Sequence, residues 1–325
     1  MGNPFTRPCV LLPYPDPRRE AGFLQSIKII IFNAKLKAQP MMSMNYLKAF
    51  TGSLLLSGLL AACNNSSDNK QEAAPTADTD TTVTLKEQTV TVNSDGASLS
   101  CYVVYNDAIK GKRPAVLVLP EWWGINDYPR MRARMLAQLG YVAMAVDMYG
   151  DGKVADSPAL AQTYAMPFYA HPEKGKTRID SCIAKIRSFD VVDSANIGAI
   201  GYCFGGGVLL NTIRLGDDLK GVVSFHGSLI GTPARKDLLR TKILVCHGNA
   251  DQFVTPKDVA TFKKQMDSIG ASYTFIGYDS ATHAFTNPAS TANGQKFHMP
   301  IAYNAKADTA SWDAMKSFFA TLFGK

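Results

Sequence analysis

The chain is poor in the residues that build metal and disulfide frameworks, with 6 cysteines and 5 histidines among 325 residues. No Cys-x-x-Cys pair occurs and no Cys/His spacing suits zinc, so no metal and no cofactor is expected. Long apolar runs are missing too. The most apolar stretch, Ala49 to Leu59, is too short to span a bilayer. A large excess of basic over acidic residues is missing outside the N-terminal segment. The formal net charge is +7, but Arg7, Arg18, Arg19, Lys28, Lys35, Lys37 and Lys48 against Asp16 and Glu20 place most of it in residues 1–62. No basic patch remains to bind nucleic acid. No internal repeat is found, and a hydrophobic share of 46% suffices for one large core.

What is present is concentrated at one turn. The strand-like run Asn196-Ile197-Gly198-Ala199-Ile200 leads into Gly201-Tyr202-Cys203-Phe204-Gly205-Gly206-Gly207, and Val208 to Ile213 then reads as a helix. Cys203 therefore falls on a sharp strand-to-helix turn. Flanking glycines remove the Cβ atoms that would collide there, and the helix N-terminus aims its N–H groups at the sulfur, which favours a thiolate nucleophile.

Such a nucleophile needs a base and an orienting acid. Lys242 to His247 is a β-branched strand ending at Gly248-Asn249-Ala250-Asp251, and Tyr273 to Tyr278 is a second, followed by Ser280-Ala281-Thr282-His283. The order Cys203, Asp251, His283 is that of nucleophile, acid and base in a hydrolase built on a parallel sheet. His226 and His247 lie at the ends of earlier strands and are rival pocket residues, while His171 and His298 read as loop histidines. Among carboxylates, Asp258 sits at a helix start after Pro256, where it complements the dipole, and Asp279 reads as a turn residue.

These segments, with Pro120-Glu121-Trp122-Trp123-Gly124 and His283-Ala284-Phe285-Thr286-Asn287-Pro288, resemble the dienelactone hydrolase (carboxymethylenebutenolidase-like) family from about Thr84 to the C-terminus. The resemblance implies that Glu121 contacts the thiol and governs its protonation, and that the amides of Trp122 and Phe204 form an oxyanion hole. It also implies two arginines for a substrate carboxylate. The matching regions, Met148 to Lys153 and Phe285 to Pro288, contain none. Lys153 lacks a bidentate fork, and Trp122, Trp123, Tyr149 and Phe285 suggest an aromatic pocket for neutral substrates.

The leader reads separately. Met44 to Lys48 is short and basic, Ala49 to Leu59 apolar, and Leu60-Ala61-Ala62-Cys63 resembles a bacterial lipobox. Residues 1–43 are then an over-long gene start, residues 44–62 a lipoprotein signal peptide, Cys63 the lipidated residue and residues 63–83 a polar tether. The domain, residues 84–325, would be exported and lipid-anchored to a bacterial membrane, at its periplasmic face or the cell surface. Export permits disulfides, and the sequence does not pair Cys101, Cys182 and Cys246.

Alternating strand and helix patterns predict an α/β-hydrolase fold. Strands at 88–92 and 98–105 form an N-terminal antiparallel hairpin, and those at 115–119, 141–147, 196–201, 221–225, 242–247 and 272–278 form a mostly parallel sheet with helices on both faces. Long helices are expected at 129–139, 157–170, 174–189, 256–269 and 307–323. The function expected is a cysteine-dependent hydrolase of small esters or lactones acting through a covalent acyl-enzyme. A non-catalytic or thiol-reactive binding lipoprotein on the same scaffold is the alternative.

Overall fold

Asp95 and Gly96 both take positive φ, 51° and 69°, the backbone that a two-residue hairpin needs to match the twist of its strands. They join β1 (Leu85–Ser94) to β2 (Ala97–Asn106) in the computed structural model, which describes residues 83–324. The expected gene start, signal peptide, Cys63 and nearly all of the tether lie outside the described residues.

The chain continues through β3 (Arg113–Leu119), α1 (Asp127–Gln138), β4 (Val142–Ala145), α2 (Pro158–Ala170), α3 (Pro172–Arg187), β5 (Val192–Tyr202), α4 (Phe204–Arg214), β6 (Gly221–Phe225) and β7 (Lys242–Gly248). It closes with α5 (Pro256–Ile269), β8 (Tyr273–Tyr278), α6 (Ser290–Phe297) and α7 (Ala305–Phe323). The strands form one eight-stranded sheet in the order β1-β2-β4-β3-β5-β6-β7-β8. β2 pairs antiparallel with β1 and β4, and every pair from β4 to β8 is parallel. The fold is thus the expected α/β-hydrolase type.

Side-chain alternation splits the core into two layers. In β3, Ala115, Leu117 and Leu119 face a cluster with Phe168, Ile179, Leu209 and Phe262 of α2 to α5, while Val116 and Val118 face Leu136 of α1 and Met315 and Phe319 of α7. After β4 the chain crosses to β5 on the other side of β3, so a switch point opens at the carboxyl ends of β3 and β5.

β1 and β5 begin three and four residues earlier than expected, and β4 and one helix depart further. β4 stops at Ala145 because Asp147 turns its carboxylate onto the amides of Ser100, Tyr149, Gly150 and Gly152 at 2.8–3.1 Å, shaping a loop where the pattern predicts two more strand residues. Helix α6 was not expected. Its sequence STANGQKF has weak propensity, and Gly294 inside it permits the close approach of the Ile301 carbonyl, which an added Cβ would meet at 2.4 Å.

Candidate active site

Cys203 is the N-cap of α4 and holds φ 50° and ψ −111°, a strained backbone for a residue with a Cβ. The neighbouring glycines make the turn possible. A Cβ on Gly201 would sit 2.5 Å from the Gly205 carbonyl, and one on Gly205 would sit 2.6 Å from the Leu119 carbonyl oxygen. The Gly205 N–H donates to Pro120 O at 3.0 Å, which ties the elbow to the loop after β3.

The expected base and acid, His283 and Asp251, lie beyond the ends of neighbouring strands. His283 Nδ1 donates to Asp251 Oδ2 at 2.8 Å, and Asp251 Oδ1 accepts the N–H groups of Phe253 and Val254 at 2.7 and 3.1 Å. Burial would push the Asp251 carboxyl up, yet the His283 charge and these hydrogen bonds hold it below its ordinary value. Burial alone would lower His283. Asp251 and the hydrogen-bonded Cys203 outweigh burial and raise the imidazole well above its ordinary range. The rival carboxylates serve elsewhere, Asp258 in a capping box with Thr255 and Asp279 accepting from Asn249 at the surface.

Glu121 is buried just beyond β3 with Oε2 accepting from Asn287 Nδ2 at 2.6 Å and Oε1 without a partner. Burial is the main cause that raises its pKa to about 7, opposed by the Asn287 hydrogen bond and by the charges of His283 and Arg132. Asn287 occupies a position where the family resemblance implies an arginine. It is itself buried, so its amide serves Glu121 and not open solvent.

The two amides expected to bind an oxyanion flank this group. Phe204 N–H is the first of α4 and has no carbonyl one turn back. Trp122 is held through its carbonyl, in the next peptide along, where Tyr149 Oη donates to Trp122 O at 3.0 Å and the Tyr149 ring packs on Phe204 with centroids 5.5 Å apart. Trp123 lies against Trp122 and stacks on Phe297 of α6. Phe285 is placed differently from a pocket wall, fully buried between His226 and Tyr278 in the layer facing α1 and α7.

Sequence reasoning missed how His226 is used. Its Nδ1 accepts the backbone N–H of Cys203 at 3.1 Å, and its Nε2 lies 2.7 Å from Thr286 Oγ1, which in turn lies 2.6 Å from Tyr128 Oη. Burial first, then the charges of His283 and Arg132, keep this imidazole neutral, so Nε2 carries the proton and donates to Thr286. A polar bridge therefore connects the elbow, the His283 loop and the start of α1. Only the strand-end position of His226 hinted at this, whereas Asn287 and Thr286 stood in plain view as polar residues just beyond His283. His247 remains neutral through burial and packs on Phe275. Among the described residues no group of three His, Cys, Asp or Glu side chains is placed to hold a metal.

The structure thus brings a cysteine at a strained strand-to-helix turn, a carboxylate-oriented imidazole and a buried glutamate to the strand ends, and the sequence model of the dienelactone hydrolase family covers residues 99–323, more than half of the chain. The chain belongs to the dienelactone hydrolase family. It is a carboxylic ester hydrolase, and the family's substrates are small esters and lactones. An uncharacterized protein of Caenorhabditis elegans is 32% identical over 154 residues, 46% of this chain and 95% of its own. A Bradyrhizobium protein named "Probable 2-oxo-3-(5-oxofuran-2-ylidene)propanoate lactonase" is 25% identical over 243 residues, 71% of this chain and 93% of its own. Among solved structures, a dienelactone hydrolase-like promiscuous phosphotriesterase from metagenomic libraries superposes with a TM-score of 0.69 at 28% identity, covering 73% of this chain and 98% of its own.

Proposed function

We propose that this dienelactone hydrolase relative cleaves small neutral esters or lactones by covalent catalysis at Cys203, with His283 as base, Asp251 as its orienting partner and Glu121 as a modulator of thiol protonation. The observation that carries the reading is the positive-φ cysteine at the head of α4, together with an imidazole whose Nδ1 is fixed by Asp251 and whose charged form Asp251 and Cys203 favour. His283 Nε2 takes the thiol proton, and the sulfur attacks the carbonyl carbon. The carbonyl electrons move onto oxygen, where the Trp122 and Phe204 amides stabilise them. Collapse breaks the C–O bond, and the leaving alkoxide takes the proton from His283. Water, deprotonated by His283, then attacks the thioester and the C–S bond breaks, restoring the thiol and releasing the acid.

The preference for neutral substrates rests on the missing cations. Lys153 is exposed and paired with Asp151 at 3.0 Å, and Arg132 is buried and occupied by Thr286 O and Asp308 Oδ1 at 2.6 and 2.5 Å. A substrate carboxylate would lose its hydration without gaining a fixed partner. kcat/KM over a panel of activated esters, simple lactones and dienelactone tests both parts. Neutral substrates should lead the panel, and Cys203→Ala should abolish turnover with the fold retained. Efficient dienelactone turnover would overturn the specificity, and undiminished turnover by Cys203→Ala would overturn the nucleophile. The lipobox-like tetrad ending at Cys63 supports a second element of the proposal, an exported enzyme held to a membrane by a lipid on that cysteine.

A further inference from the structure

Two cysteines take no part in this chemistry. Cys101 lies on β2 and Cys182 on α3, 81 positions apart in sequence, yet their sulfurs are 3.8 Å apart and both side chains are fully buried. Among the described residues no other side chain hydrogen-bonds to either thiol. The pair joins two elements that bear on the site. α3 packs against α4, the nucleophile helix, where Gly175 lets the helices approach so closely that an added Cβ would meet Val208 at 2.8 Å.

We propose that Cys101 and Cys182 form a disulfide when the chain folds under oxidising conditions, clamping α3 to the sheet behind the nucleophile helix. One cysteine thiolate attacks a sulfur of a small-molecule disulfide, displacing one thiolate and forming a mixed disulfide. The thiolate of the other cysteine displaces the remaining thiol, and the ring closes. Two protons leave the cysteines, and the two electrons reduce the oxidant to two thiols.

Burial sets the order of events. In the folded reduced protein both sulfurs are fully buried, so a small-molecule disulfide reaches neither, and the mutual hydrogen bond and then burial also push the Cys182 thiol well above its ordinary range. The bond must close while β2 and α3 are still finding each other, and the folded reduced chain resists oxidation.

The test refolds the reduced full-length chain from denaturant with oxidised glutathione, alkylates the remaining thiols and maps peptides without reduction. The expected result is one cross-linked peptide pair joining Cys101 and Cys182, with Cys9, Cys63, Cys203 and Cys246 in no cross-link. The oxidised form should melt on the order of 5–10 °C above the reduced form, because a long closed loop removes entropy from the unfolded chain. Cys101→Ala and Cys182→Ala should each abolish the gain. The same oxidant added to the folded reduced chain should form the bond far more slowly. Alkylation of both Cys101 and Cys182 in the refolded sample, or a dominant cross-link through another cysteine, would overturn the proposal. Because the readout is a covalent map and a melting temperature, it does not depend on Cys203 being the nucleophile.

Discussion

Glu121 keeps one oxygen on Asn287 and the other without a partner in a site that water barely reaches, and its pKa of about 7 follows from that burial. The neutral acid therefore dominates below about pH 7 and the carboxylate above it. Since the folded value lies above the unfolded one, the folded state gives up stability as the pH rises from about 4.5 to 7, on the order of 3 kcal/mol in all. Glu121→Gln should remove this slope in urea unfolding measured across that range. It should also remove an inflection near pH 7 from the rate of Cys203 alkylation, the limb through which the glutamate acts on the thiol. Alkylation profiles that superpose for both proteins would refute this role. The Asn287 contact also recasts the missing arginine, since a guanidinium at that position would meet Glu121 before it met a substrate.

At the scale of the element, the turn from β5 into α4 is decided by where backbone allows no Cβ. A Cβ on Gly205 would meet the Leu119 carbonyl oxygen at 2.6 Å, at a strand end held by the sheet, whereas a Cβ on Gly207 would meet the Ser228 Cβ at 3.2 Å, where a small shift relieves the contact. Gly205→Ala should therefore cost about 3 kcal/mol or more, and Gly207→Ala about 1 kcal/mol. Urea midpoints of the two variants check the contrast, and equal losses would show that the elbow is softer than its geometry indicates. Helix α5 makes the complementary point. Thr255, Pro256 and Asp258 start it through a capping box and Gly270 ends it in the left-handed region, all readable in the sequence. Helix α6 has no such signals and exists through packing, with Trp123 stacked on its Phe297.

For the molecule as a whole, no helix among the described residues is long and apolar enough to cross a membrane. The proposed membrane attachment is the lipid on Cys63. Cell fractionation should then find the natural chain with membranes and Cys63→Ala in the aqueous fraction. Equal membrane association of both would exclude lipidation as the attachment.

What the residues specified by themselves was local. Short continuous apolar runs gave the parallel strands, because a sheet covered by helices on both faces buries successive side chains, and the glycine pattern around Cys203 located the elbow, because the turn tolerates no Cβ at the flanking positions. The chain order Cys203, Asp251, His283 named a triad for the same kind of reason, each residue following the end of a strand. Tertiary structure decided the long-range polar partners: Asn287 on Glu121, His226 on the Cys203 amide, Tyr149 on the Trp122 carbonyl, and Cys182 beside Cys101. These contacts join residues far apart in sequence, and a hydrogen bond leaves no periodicity behind. Their partners are fixed only when the sheet has set its order and register.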